Sequence, residues 1–299
     1  MKYLVFLLGV LLMSCSAEVK HEDNTQAVIT TSTIQPENSV VTEAVPEVLK
    51  GFPRFFFVKD SLGFTLENVK VLADTYSSEK INFNQLEKDT AYFIMLDFLK
   101  EIKMASEDDK ALYEFDEVKE SEIAKYYKQY GISIEMIEGG YYCFPDYSYL
   151  AKLFEGDLNP DLDIYKDFLI VSNRHIFDDG GLTISWMDLA SQIIETEDFY
   201  NNLSNTVYKD EVLINYIWLI NPLLYGSENS FIVDDYNDSM KGLLPEVKSA
   251  YDMLMINTIH NSGNLFTTHL ENLNKSGFNP KGEEIHYMTD EEIEAFLND

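Results

Sequence analysis

The sequence predicts a mainly α globular domain, α+β only in carrying one β-hairpin near 132–144, held behind an export leader and a flexible tether. Three observations carry this reading. Apolar residues recur at helical spacing through most of the chain beyond residue 65, a Gly139-Gly140 pair separates two apolar runs, and no aromatic residue occurs from Ser16 to Lys50.

Taken in order, the body begins at Gly51, where Phe52-Pro53-Arg54-Phe55-Phe56-Phe57-Val58 reads as a short strand-like lead-in. Leu66, Val69, Leu72 and Tyr76 suit a first helix, and the run from Leu86 to Ile102 gives a longer one. Ile123, Tyr126, Tyr127 and Tyr130 mark a third, closed by Gly131 where a left-handed cap is expected. Ile132–Glu138 and Tyr141–Phe144 flank the glycine pair as a hairpin. Asp146 is placed to cap a helix ending near Phe154, Pro160 to open the next, and Asp178-Asp179-Gly180-Gly181 to break the chain. Ser185 with Asp188 resembles a capping pair, Val212–Leu219 is helical up to a stop at Asn221-Pro222, and Pro245 suits a first helical position. Phe266–Leu273 and a terminal helix behind the capping box Thr289-Asp290-Glu291-Glu292 complete the domain at 51–299. A subdivision is permitted near 156–160.

Residues 1–14 have the form of a secretory signal: Lys2, an apolar run from Leu4 to Met13, and a small residue before Cys15. The run is about half of the roughly 20 residues that a spanning helix needs. Leu12-Met13-Ser14-Cys15 resembles the lipobox of bacterial lipoproteins. That resemblance implies cleavage after Ser14, a diacylglyceryl group on the Cys15 thiol and acylation of the new amine, hence a membrane partner through acyl chains. Residues 15–50, with the prolines Pro36 and Pro46 and mostly polar side chains, read as the lipidated cysteine and a stalk with a reach of about 30 Å. The expected location is the bacterial cell envelope, outside the cytoplasm, on the outer membrane or cell surface if the cell has two membranes.

The chain holds 52 Asp plus Glu against 22 Lys plus Arg, a formal charge of −30. Only six of the acids precede residue 51, so the excess belongs to the body. Such a field offers no general attraction for nucleic acid or anionic lipid and favours a basic protein partner. Two cysteines exclude a disulfide framework.

For chemistry, Asp157, Asn159, Asp161 and Asp163 alternate oxygen ligands suited to calcium, but Leu162 and Phe168 stand where an EF-hand wants Gly and Glu. A helix end followed by an Asx cap explains the same residues without metal, and no metal or other cofactor is expected. Asp234-Asp235-Tyr236-Asn237-Asp238 reads as a solvated acidic loop. Cys143, with His175 or His260 as conceivable bases, is more simply a small buried residue of an aromatic strand, and His21, His269 and His286 have no zinc spacing. Tyr141, Tyr142, Tyr147 and Tyr149 form a candidate aromatic recognition patch, with Tyr126, Tyr127 and Tyr130 just before it; the bland alternative is core. Asn261-Ser262-Gly263-Asn264-Leu265-Phe266 resembles an Asn-Gly-Gly-Phe motif of a helical family that includes acidic DNA-mimic proteins. It lacks the second glycine, and no activity is carried over from it.

No residue set identifies a reaction. The expectation is a membrane-anchored envelope lipoprotein displaying an acidic helical domain that binds a partner. The alternatives are an envelope hydrolase using carboxylates and a solute-binding lipoprotein.

Overall fold

Pro53 presets the first turn of a helix, and Phe55, Val58 and Leu62 then fall on one face. The strand-like reading of this run is therefore corrected: it folds as α1 (Phe52–Ser61). Burial decides the outcome, since helical spacing sets Phe55 edge-on to Tyr76 and Phe83 at ring distances of 6.2 and 6.0 Å. The Gly51 N–H donates to Glu79 at 2.7 Å and Arg54 pairs with the same carboxylate at 3.3 Å, which fixes how the chain enters the domain.

The computed structural model describes residues 49–107, 117–137, 140–233, 242–257, 261–278 and 289–298. Cys15, the expected leader and stalk up to residue 48, the expected acidic loop at 234–238, His21, His260 and His286 lie outside the described residues.

After α1 come α2 (Leu66–Glu79), a 3₁₀ turn (Lys80–Asn82), α3 (Gln85–Glu107) and α4 (Glu117–Lys128). The strands β1 (Ile132–Ile137) and β2 (Gly140–Pro145) pair antiparallel, from Ile132 opposite Pro145 to Ile137 opposite Gly140. Then follow α5 (Tyr147–Leu153), α6 (Pro160–Ser172), β3 (Phe177–Asp178), β4 (Gly181–Leu182), α7 (Trp186–Asn202), α8 (Thr206–Tyr225), α9 (Pro245–Ile256), α10 (Ser262–Lys275) and α11 (Asp290–Asn298). The architecture is mainly α with small antiparallel hairpins, as the periodicity predicts.

Local sequence explains most boundaries. Asp146, Asn159, Ser185 and Asn205 each accept a backbone N–H of the first turn that follows. The Thr289 N–H donates to Glu292 while the Glu292 N–H donates to Thr289, a reciprocal capping box. Two boundaries differ from expectation. Asp178–Gly181 is a second hairpin and more than a breaker: Asp179 and Gly180 have φ of 45° and 68°, the left-handed pair that a two-residue turn requires. And α8 runs through Pro222 to Tyr225. Pro222 sits in its last turn, so a single backbone bond is forfeited, while buried Leu219, Ile220, Leu223 and Leu224 hold the turn in the core.

Buried apolar side chains from both sides of 156–160 share one core, among them Tyr76, Tyr92 and Leu99 with Leu162, Tyr216 and Tyr251. Among the described residues, no helix is long and apolar enough to cross a membrane.

Candidate functional site

Tyrosines gather where α3, α5, α6 and α8 meet. Tyr165 of α6 stacks on Tyr208 of α8, ring centroids 4.5 Å apart and planes within 14°. Phe93 of α3 lies against Tyr208, and Tyr92 sits edge-on to Phe93 at 5.5 Å. The Tyr165 hydroxyl donates to Glu211 one turn beyond Tyr208. Burial, then the hydrogen bond and the charge of Glu211, push the Tyr165 hydroxyl well above its usual range. Burial with Glu211 also raises Tyr147 of α5, and burial with Asp89, Asp161 and Glu211 raises Tyr208. The charge of Glu211 thus bears on Tyr147, Tyr165 and Tyr208 alike. The Tyr92 hydroxyl is buried with no hydrogen-bond partner among the described residues, and burial followed by Tyr147 and Asp167 holds it protonated. The half-buried rings of Phe93, Tyr147 and Tyr208, with Tyr165 itself buried, lie beside the exposed residue Glu211 and form a face that can receive a guanidinium or ammonium group: the rings supply cation–π attraction and the carboxylates supply charge.

The four oxygen ligands flagged in the sequence are held apart by different partners. Asp157 accepts from Tyr76 at 3.1 Å, Lys80 at 2.5 Å and Lys88 at 3.2 Å, and its own carbonyl accepts from Gln85. Burial alone would raise its carboxyl, but the hydrogen bonds from Lys80 and Lys88 outweigh burial and hold it below the ordinary carboxylate range. Asn159 caps α6 and is held in turn by Asp89. Asp161 accepts from the backbone and hydroxyl of Ser204, which lowers its carboxyl, and Asp163 pairs with Lys166 at 2.8 Å. No group of three His, Cys, Asp or Glu side chains is gathered for a metal among the described residues.

The aromatic patch is distributed likewise. Tyr142 is 42% exposed on the hairpin, Tyr147 belongs to the tyrosine face, and Tyr149 lies half-buried over Gly131, whose missing Cβ would stand 2.6 Å from that ring. Tyr141 pairs with Met136 in the ladder. Tyr126 is 41% exposed and donates to Glu67. Cys143 is buried in β2 opposite Ile134.

A second polar constellation joins α7 to α11. Glu197 of α7 is fully buried, and its carboxylate accepts from the backbone N–H groups of Asn261 and Ser262, the latter at 3.2 Å, and from Tyr216 at 3.4 Å. It thus supplies the anion that the α10 N-terminus favours. Asn261 also donates to the Leu297 carbonyl of α11 at 3.3 Å, and a Cβ on Gly263 would stand 2.8 Å from the Leu254 carbonyl oxygen of α9. At the other end of α8, Tyr251 donates to the Leu223 carbonyl at 2.9 Å and His269 bonds the Leu224 carbonyl at 2.7 Å, satisfying acceptors that a helix end leaves open. The Asn261–Phe266 stretch is therefore a structural corner.

Because the Leu224 carbonyl can only accept, Nε2 of His269 carries the proton, and Nδ1 is buried without a hydrogen-bond partner among the described residues. Burial pushes this imidazole down to about 4 from 6.5. As pH falls below 6.5 the unfolded chain takes up the proton first, so stability is intact above that pH and declines toward pH 4, by roughly 3 kcal/mol from this site. His269→Gln, which keeps a donor for Leu224 but does not titrate, flattens that part of the curve. Urea unfolding of both proteins between pH 4 and 8 checks this, and equal slopes would contradict it.

Comparison with protein-family models, with curated proteins and with solved structures finds no match for this chain.

Proposed function

We propose that this chain is a lipid-anchored envelope protein whose acidic helical domain binds a basic protein partner, and that the partner's cationic side chains seat on the tyrosine–carboxylate face of α3, α5, α6 and α8. The observation that carries this reading is the Tyr165–Tyr208 stack with Glu211, where the charges of Asp89, Asp161 and Glu211 all reach Tyr208. Several of the few cations are committed elsewhere: Lys80 and Lys88 to Asp157, Lys166 to Asp163 and Asp167, Arg174 to Glu195, Lys248 to Asp252. The surplus of acids then sets a negative field that steers a basic partner, most strongly at low ionic strength. Display follows from the proposed acyl chains on Cys15, which supply membrane residence, and from the stalk, which supplies reach.

Capture from envelope extract tests this with the wild type and the Tyr208→Ala/Glu211→Gln pair as baits. The wild type is expected to retain a basic protein at low salt and release it at high salt. The double variant is expected to retain at least about tenfold less, the effect of losing roughly 1.4 kcal/mol or more of interaction. A bound set that is identical for both baits would count against the face. Turnover of an envelope polymer by the purified chain would favour the hydrolase alternative.

A further inference from the structure

The described chain emerges from the stalk directly into α1, and this helix has an unusual outer face. Phe55 and Val58 point inward, while Phe56 is 44% exposed and forms, with Leu49, Phe52, Pro53 and Phe57, a shallow, mainly apolar depression of about 640 Å³ that Asp60 and Ser61 also line. The electrostatics of this stretch run against the rest of the molecule. Residues 49–61 contain Lys50, Arg54 and Lys59 against a single acid, Asp60, in a chain whose acids outnumber its basic residues by 52 to 22. Arg54 is tied to Glu79 and Lys59 to Asp60, yet Lys59 also lies over the Phe56 ring at 5.7 Å and Lys50 is exposed at the mouth of the stalk.

We propose that the exposed face of α1 docks on the anionic phospholipid surface to which the chain is tethered, so that the domain stands on the bilayer with α1 down and its acids turned away. This rests on the lipid-anchor reading. Aromatic rings flanked by cations are the composition that enters the headgroup boundary, and basic residues near an anionic surface add electrostatic attraction, here foremost from Lys50. Repulsion of the remaining acids by the same surface disfavours every other orientation. A tether of this length gives an effective concentration on the order of millimolar, so a contact too weak to hold a free domain is populated in the anchored one.

The acylated chain is reconstituted in phosphatidylcholine vesicles with and without phosphatidylglycerol, carrying a nitroxide at Phe56→Cys or, as control, at Ile256→Cys, an exposed site of α9. The expected result is several-fold loss of collisions between the residue 56 label and a water-soluble nickel chelate on phosphatidylglycerol vesicles. Position 256 is unaffected, and accessibility at 56 returns when Phe57→Asp is added. Hydrogen exchange of α1 amides in the unlabelled chain gives the same comparison without a label. Full accessibility at 56 on chain that floats with the vesicles overturns the docking and leaves the anchor intact. Chain recovered away from the vesicles overturns both. A label already shielded in detergent means that another segment of this chain, or a second copy, covers the face, and overturns the docking as well.

Discussion

Replacing Glu197 by leucine lowers the stability of the body by about 3 to 5 kcal/mol, measured by urea unfolding of the full mature chain. The size follows from what the substitution strands. Glu197 is fully buried, and the N–H groups of Asn261 and Ser262 and the Tyr216 hydroxyl all point at its carboxylate. Leucine fills much of the volume but accepts nothing, so buried donors at the start of α10 lose both partner and water. Glu197→Gln keeps one acceptor oxygen and costs less; the gap between the two variants measures that acceptor, and the cost of the glutamine variant itself measures mainly the charge. A loss under about 1 kcal/mol for Glu197→Leu would mean that α10 does not depend on this carboxylate for its position.

Asp157→Ala is expected to cost about 2 to 3 kcal/mol, less than the Glu197 change because Lys80 and Lys88 retain 35% and 24% side-chain exposure and can turn to water. The Tyr76 hydroxyl, in the core, cannot. Since the folded carboxyl lies below the ordinary carboxylate range, its contribution is present above the unfolded value near 4 and is lost as pH falls through the folded one. The alanine variant is expected to show a correspondingly weaker acid limb. Calcium serves as a control, because the carboxylate is already engaged by two lysines: an excess that shifts the wild-type midpoint but not the variant's would return this loop to the metal reading.

Elements whose cause lies within a few residues were legible from the chain alone. Periodicity finds α2, α3 and α9, the Ser185–Asp188 and Thr289–Glu292 pairs mark the starts of α7 and α11, and the glycine pair at 139–140 marks the hairpin. Even the second hairpin carried a local signal in Asp179-Gly180, a dipeptide that suits a two-residue turn. What was not legible is what distant residues decide. Pro222 reads as a stop, yet the Gly226 N–H donates to its carbonyl, and Tyr251 and His269, from helices later in the chain, supply the donors to Leu223 and Leu224 that complete the end of α8. Glu197 is 64 residues from the N–H it caps. The tyrosine face is the same kind of case. Tyr147 stands out in sequence beside its aromatic neighbours, but it belongs with Tyr92, Tyr165 and Tyr208, which no spacing connects.

Binding through that face is tested most directly by photo-crosslinking in the native host, with a benzophenone side chain at Val207, which is 62% exposed and precedes Tyr208. A single adduct with a basic envelope protein is expected, lost with Glu211→Gln in the same chain and absent when the probe is moved to Ile256. No adduct from position 207, or one that persists unchanged in the Glu211→Gln chain, would contradict the assignment.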